Sequence, residues 1–121
     1  MSNIQKTYFQ SLHEKLEPLI EDQTIGCVIS DRISVDGLPI GIMYRDFPIS
    51  DVPDSGWVFL AGDEDEKYMC APQNHTVFTL NTICNYDSSI IPLIDAEYET
   101  AFIRNDNGVF MLDEHFFDIE D

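Results

Sequence analysis

The sequence predicts an α+β domain, with a mostly antiparallel sheet built from two hairpins and a central strand and an N-terminal helix packed on one face. An apolar stripe with helical spacing near the start of the chain predicts the helix. Short apolar runs, two of them bounded by Asp-Gly or Asn-Gly turns, predict the strands and hairpins. The 121 residues are enough for one hydrophobic core, so we expect a single domain over 1–121.

The N-terminal helix is predicted from apolar residues that recur every four positions. They are Ile4, Tyr8, Leu12, Leu16 and Ile20. Residues at this spacing share one face of a helix, so we expect the face to pack on the core. Pro18 is expected to end or kink the helix, because its ring clashes with the preceding turn.

The first predicted hairpin joins residues 26–34 to residues 40–45. The first run alternates apolar and polar residues as a strand does, with Asp31 marking a bulge or the strand end. Asp36 and Gly37 form a hairpin turn signal between the two runs.

The central strand is predicted over residues 57–60, which are apolar on both faces and therefore suit a strand covered on both sides. We expect Trp57 to be buried against the N-terminal helix. Gly62 ends the strand, and residues 63–70 are predicted to form a short helix. Asp63 and Glu66 have the spacing of a capping box at its start.

The C-terminal half contains the second predicted hairpin. The predicted elements are a strand at 77–80, a helical turn within 81–92, a strand at 98–104 and its hairpin partner at 109–112. An Asp-Asn-Gly turn joins the last two strands. The acidic tail, residues 113–121, carries Phe116 and Phe117, so we expect it to dock partly on the domain.

The charge of the chain indicates the class of partner. The sequence has 23 acidic and 6 basic residues, a formal net charge of −17. Nucleic acids and anionic membranes are poor partners for such a surface, whereas a protein with a basic surface is a good one. The charge could also serve only to keep the protein soluble.

The three cysteines and the N-terminus indicate a cytoplasmic protein. Three is an odd number and no two cysteines form a C-x-x-C pair, so we expect free thiols in a reducing compartment. The first residues contain no long apolar run, so neither a signal peptide nor a membrane span is predicted.

No catalytic residue, cofactor site or metal ligand set is predicted. Cys70 and His75 are the only closely spaced Cys–His pair, which is short of a zinc set. The acids at 63–66 lack the glycine of a calcium loop, and no nucleophile motif stands beside a base. We therefore expect a protein that is not an enzyme.

The predicted protein-binding residues are an acidic cluster and two tyrosines. They are Asp63, Glu64, Asp65, Glu66, Tyr68 and Tyr44. Tyrosine is common at protein interfaces because its ring is apolar and its hydroxyl polar. The cluster could be a solvated helix start, a surface that faces the partner, or both.

Three motifs in order resemble a known family. They are SDRISVDGLPIGIMYRD at 30–46, DSGWVFLAGDEDEKYM at 54–69 and LNTICNYDSSIIPLID at 80–95. Their order and spacing resemble a small acidic bacterial domain family, formerly of unknown function, that is classed among the immunity proteins of polymorphic toxin systems. The resemblance covers roughly residues 26–104. It implies a cytoplasmic inhibitor that binds a toxin delivered between bacteria, and it brings no catalytic residues.

The expected function is therefore that of an immunity protein, which neutralises a cognate toxin by stoichiometric occlusion. A regulatory or scaffold module that binds another protein is the main alternative. A small enzyme with an unrecognised site is a less favoured one. The oligomeric state is left open.

Overall fold

The computed structural model describes residues 8–9, 12, 16–47 and 54–118. The strands are β1 (Gly26–Ser30), β2 (Ile42–Arg45), β3 (Asp54–Leu60), β4 (His75–Thr79), β5 (Thr100–Arg104) and β6 (Phe110–Leu112). The helices are α1 (Asp31–Ser34), α2 (Glu66–Met69) and α3 (Leu80–Tyr86), with 3₁₀ helices at Pro72–Asn74 and Ser88–Leu93. The predicted α+β class is confirmed.

The sheet is mixed, which corrects the predicted sheet of antiparallel hairpins. Its strand order is β4-β1-β3-β2-β5-β6. β1 and β3 run parallel, and the other neighbours run antiparallel. The central position predicted for residues 57–60 is confirmed, because β3 has a strand on each side.

The first predicted hairpin is wrong, because β3 lies between β1 and β2. The chain turns into α1 directly after β1, so Asp31 marks the end of the strand. The Asp36-Gly37 turn closes this helix instead of joining two strands: the N–H of Asp36 donates to the Asp31 carbonyl, and that of Gly37 to the Ile33 carbonyl. An Asp-Gly pair favours a turn both at the end of a helix and in a hairpin, so the pair alone does not distinguish the two.

The second predicted hairpin is confirmed. β5 and β6 pair with Arg104 opposite Phe110. Asn105 closes the turn, since its N–H donates to the Val109 carbonyl at 2.8 Å and its carbonyl accepts from Gly108 at 2.9 Å. Gly108 has a φ of +80°, a conformation that glycine adopts without strain.

The predicted N-terminal helix is also wrong for the residues described. Tyr8, Phe9, Leu12 and residues 16–20 are not helical, and Phe9 has a φ of +49°. Ile4, the first residue of the predicted stripe, lies outside the described residues. Part of the apolar stripe nevertheless contacts the core, because Leu12 and Ile20 pack against it, and the neighbouring Phe9 is buried against the rings of Phe78 and Tyr86.

Asparagine side chains of α3 hold residues 17–19 without a helix. The amide groups of Asn81 and Asn85 both donate to the Glu17 carbonyl at 2.9 Å. Their side-chain oxygens accept from the N–H groups of Leu19 and Glu17, at 2.8 and 3.0 Å. Pro18 lies between these two residues. The backbone groups of this segment thus find long-range partners, which a pattern of apolar residues does not reveal.

One face of the sheet packs against α3 and the 3₁₀ helix Ser88–Leu93. The fully buried side chains of this core include Cys27, Ile29, Met43, Trp57, Phe59, Ile83, Cys84 and Ile90. The predicted burial of Trp57 is confirmed, but its partner is different. Its indole N–H donates to the carbonyl of Ile94 at 2.9 Å, after the 3₁₀ helix, and not to an N-terminal helix.

The opposite face of the sheet, here called the open face, carries a row of side chains across five strands. The pairing places Val77, Val28, Val58, Tyr44 and Ala101 opposite one another in turn. Directly opposed residues on neighbouring strands share a face. The side chain of Val77 is 71% exposed. Tyr44, one of the predicted binding residues, lies on this face.

Candidate partner-binding surface

The acidic cluster, residues 63–66, follows β3 and ends at the first residue of α2. The predicted capping box of Asp63 and Glu66 is wrong, because α2 begins at Glu66, later than expected. Asp65 is the N-cap, and its carboxylate accepts from the N–H of Tyr68 at 2.7 Å. The four residues of α2 are too few to form a stable helix alone, so the cap and the preceding turn position it.

Asp63 forms an ion pair with Arg32, in α1. The Arg32 Nε donates to one carboxylate oxygen at 3.1 Å, and Nη2 contacts the other. Nη1 of the same guanidinium contacts Asp36 at 2.9 Å. The hydrogen bonds from Arg32 lower the pKa of Asp63. This carboxylate is therefore held within the fold and its charge is partly offset.

Glu64 stabilises the turn that leaves β3. Its two carboxylate oxygens accept from the N–H groups of Ala61 and Gly62, both at 2.8 Å. Burial alone would raise the pKa of Glu64, but hydrogen bonds from the Ser30 side chain and from these two N–H groups outweigh it and lower the pKa. The side chain thus has a structural role.

Five of the six predicted protein-binding residues lie close together, and the sixth, Tyr44, lies elsewhere. Asp63, Glu64, Asp65 and Tyr68 line one depression, which Arg32 and Asp36 complete. Glu66 follows at the start of α2, exposed, and its carboxylate makes no hydrogen bond or ion pair with a described residue. The ring of Tyr68 lies edge-on to His75, 6.1 Å between centroids.

Tyr44 lies apart from the cluster, on β2 in the middle of the open face. Its ring packs under those of Phe116 and Phe117, at 5.0 and 6.0 Å between centroids. Burial raises the pKa of Tyr44, and the charge of Asp46 adds to the effect. The partial docking predicted for the acidic tail is confirmed for these two phenylalanines. Ile119 and the residues after it lie outside the described residues.

The structure shows an exposed aromatic pair that was not among the predicted binding residues. Phe47 and Tyr98 are 54% and 41% exposed, with 5.0 Å between ring centroids. The guanidinium of Arg45 lies 4.5 Å from the centre of the Tyr98 ring. Each of the two residues has an acidic neighbour in the sequence, and this was the only feature of the sequence that could have indicated them. The two are distant in the chain, so only the fold unites them.

Arg45 and Arg104 are directed into the structure, whereas Arg32 pairs with Asp36 and Asp63 at the surface. Arg45 donates to the carbonyls of Ser55 and Ala96, at 2.8 and 2.7 Å. Arg104 pairs with Asp87 at 2.5 Å, with both side chains about a fifth exposed. Because these cations are engaged internally, they do little to offset the acidic surface elsewhere on the molecule.

The described residues contain no group of three or more His, Cys, Asp or Glu side chains placed to hold a metal ion. All three cysteines are free, as predicted: Cys27 and Cys84 are buried and Cys70 is exposed. Burial raises the pKa of the Cys84 thiol to about 11. Within the same described ranges, no helix has the length and apolar character needed to cross a membrane.

Comparison with known families gives one match. A family model described as "Immunity protein Imm33 domain" matches residues 27–114. The match extends beyond the predicted boundary at residue 104 and takes in the turn after β5 and the whole of β6. No curated protein matches the chain. No solved structure matches it either.

Proposed function

The chain belongs to the Imm33 immunity protein domain family, and we propose that it binds a cognate toxin protein and blocks it by covering the toxin's active surface. The observation that carries the proposal is the family match over residues 27–114, which runs from β1 to just beyond β6. Inhibition by occlusion needs a stable surface and no chemistry of its own, so the protein acts without turnover.

The charge supports a toxin with a basic surface. The net charge is −17, and the arginines of the described ranges are engaged within the fold. A field of one sign accelerates encounter with a partner of the opposite sign and disfavours other partners. A cytoplasmic location is part of the same proposal, and the two buried free thiols support it.

The open face is the surface we propose for the toxin. Tyr44 lies in its middle, where Phe116 and Phe117 pack on part of its ring, and the acidic cluster with Tyr68 follows the end of β3. Contact with the cluster stays a prediction. Glu66 is its most suitable member for mutation, because Glu64 and Asp65 hold backbone N–H groups and their replacement would disturb the turn.

The proposal predicts that a neighbouring gene encodes the toxin, and co-expression with the product of that gene tests it. We expect the protein to restore growth to cells that express that toxin, and the purified pair to elute as a complex of fixed stoichiometry. Titration should abolish the toxin's activity in proportion to the protein added, since each molecule occupies one toxin.

An unrelated toxin serves as the control and should be unaffected. The proposal fails if the two proteins do not associate. Occlusion in particular fails if a small molar fraction of the protein inactivates all of the toxin, because that result requires turnover.

A further inference from the structure

We propose that a groove on the open face, at the end opposite the acidic cluster, receives a lysine or arginine side chain of the toxin. The groove lies beside the end of β2 and the start of β3 and has a volume of about 170 Å³. Its lining includes Tyr44, Asp46, Phe47, Asp54 and Val58. The inference rests on the proposed function and adds to it the contact chemistry and the place of contact.

The floor of the groove is apolar. Val28 and Val58 are paired across β1 and β3, and Tyr44 is paired with Val58 across β3 and β2. Phe47 forms an exposed wall, which its contact with Tyr98 extends. Such a surface suits the aliphatic stem of a long cationic side chain, which packs along apolar groups while its charged end reaches polar ones.

Two carboxylates stand among these apolar groups. Asp46 accepts from the N–H of Phe47 at 2.8 Å, and Asp54 accepts from the N–H of Gly56 at 2.9 Å. Each bond uses the Oδ1 atom, and no described residue donates to either Oδ2 atom. Arg45, the residue before Asp46, directs its Nε and Nη1 donors to backbone carbonyls instead. The two charges therefore have no cation of the described residues to neutralise them.

The groove is fixed before any partner arrives. β3 contains two more residues than β1 between the pairs Gly26–Asp54 and Val28–Val58, so it bulges beside the groove. Gly56, in the bulge, has a φ of +83°, and a Cβ there would lie 1.9 Å from the carbonyl oxygen of Asp46. The N–H of Asp46 donates to the Gly56 carbonyl at 2.9 Å. A surface built in this way loses little conformational freedom on binding.

The chemistry of the groove selects a cationic side chain over other occupants. An apolar side chain would bury the free oxygens of both carboxylates without partners, which is costly. An anionic group would be repelled. A lysine or arginine would supply the missing donors, and an arginine could also stack on the exposed rings.

The test compares matched variants in binding to the toxin encoded beside the gene. The double variant Asp46→Asn with Asp54→Asn removes both charges but keeps the side-chain oxygens that accept from Phe47 and Gly56. The control variant, Asp106→Asn with Glu17→Gln, removes two charges from exposed side chains, one in the β5–β6 turn and one beside α3. Phe47→Ala is paired with Leu112→Ala, which is similarly exposed on β6.

We expect the double variant and Phe47→Ala each to weaken binding about tenfold or more, through faster dissociation. The controls should stay within about threefold of the unmodified protein, since distant exposed charges act mainly on the association rate. Circular dichroism is measured first to establish that each variant is folded.

If the unmodified protein binds and the groove variants match their controls, the groove is not the contact and the proposed function stands. If the unmodified protein does not bind, both proposals fall. Hydrogen exchange on the unmodified complex replaces any variant that does not fold. Toxin should then slow exchange at residues 42–47 and 54–58, and unchanged exchange there overturns the inference.

Discussion

Trp57 shows how a single residue joins the two layers of this protein. Its side chain is fully buried, and its ring lies 6.1 Å from that of Phe59 and 6.5 Å from that of Phe102. The indole N–H reaches across to the Ile94 carbonyl at 2.9 Å. The residue therefore contributes both apolar burial on β3 and β5 and a polar link to the segment after the 3₁₀ helix.

These two contributions can be separated by mutation. Trp57→Ala should lower the free energy of unfolding by about 3–5 kcal/mol, because it leaves a large cavity. Trp57→Phe should lower it by about 1–3 kcal/mol, mostly because the Ile94 carbonyl loses its buried donor. Denaturant unfolding measures both values, and exposed Leu112→Ala is the control. A loss under about 1 kcal/mol for Trp57→Ala would show that the core does not depend on this residue.

The connection from β3 to α2 shows how an element is built from acidic side chains. Glu64 holds the N–H groups of Ala61 and Gly62, Asp65 caps the helix, and Asp63 ties the segment to Arg32. The Asp65 cap accepts from the N–H of Tyr68, one of the first N–H groups of this very short helix, which have no partner within the helix. These acidic side chains therefore stabilise the fold, in addition to any contact that they make with a partner.

This role predicts a loss of stability in acid. The pKa of Glu64 is lower in the folded protein than its ordinary value of 4.5, so the ionised side chain stabilises the fold. That stability is present above pH 4.5 and is lost as the pH falls through the lower folded pKa. In Glu64→Gln this part of the pH dependence should disappear.

Urea unfolding of both proteins from neutral pH down to about pH 3 checks the prediction. The gap in unfolding free energy between them should narrow below pH 4.5. Glu97→Gln is the control, since Glu97 is exposed and its carboxylate bonds to no described residue. A gap that stays constant across the range would contradict the role given to Glu64.

At the scale of the whole molecule, the dominant feature is a surface of one sign. Twenty-three acids face six basic residues in the sequence, and the arginines described are engaged within the fold. Repulsion among the remaining carboxylates raises the free energy of the compact state. The acidic surface therefore costs the isolated protein some stability.

Salt should consequently stabilise the protein when it is alone. Raising NaCl from about 10 mM to about 300 mM shortens the screening length and weakens the repulsion, so we expect the Tm to rise. The variant Asp106→Asn with Glu17→Gln should begin from a higher Tm and gain less, because it carries two fewer negative charges. Scanning calorimetry measures both. A Tm that falls with salt would mean that ion pairs such as Arg32–Asp63 outweigh the repulsion.

Local patterns in the sequence determined much of this protein without help from the structure. The apolar run at 57–60 predicted a central strand, and the Asp-Asn-Gly turn predicted the β5–β6 hairpin. Three motifs indicated the immunity family, which the family match confirms. These properties depend on composition and on neighbours in the chain, so they can be predicted from the sequence.

Tertiary structure alone decided which strands are neighbours and which acids are free. β3 lies between β1 and β2, although both precede it in the chain, and Asp63 pairs with Arg32 of α1. The groove likewise combines β1, the end of β2 and the start of β3, with Tyr98 beside it. The sequence of a strand shows which of its residues share a face, but it does not show which strand lies beside it. Strand order and shared surfaces therefore arise only when distant segments pack together.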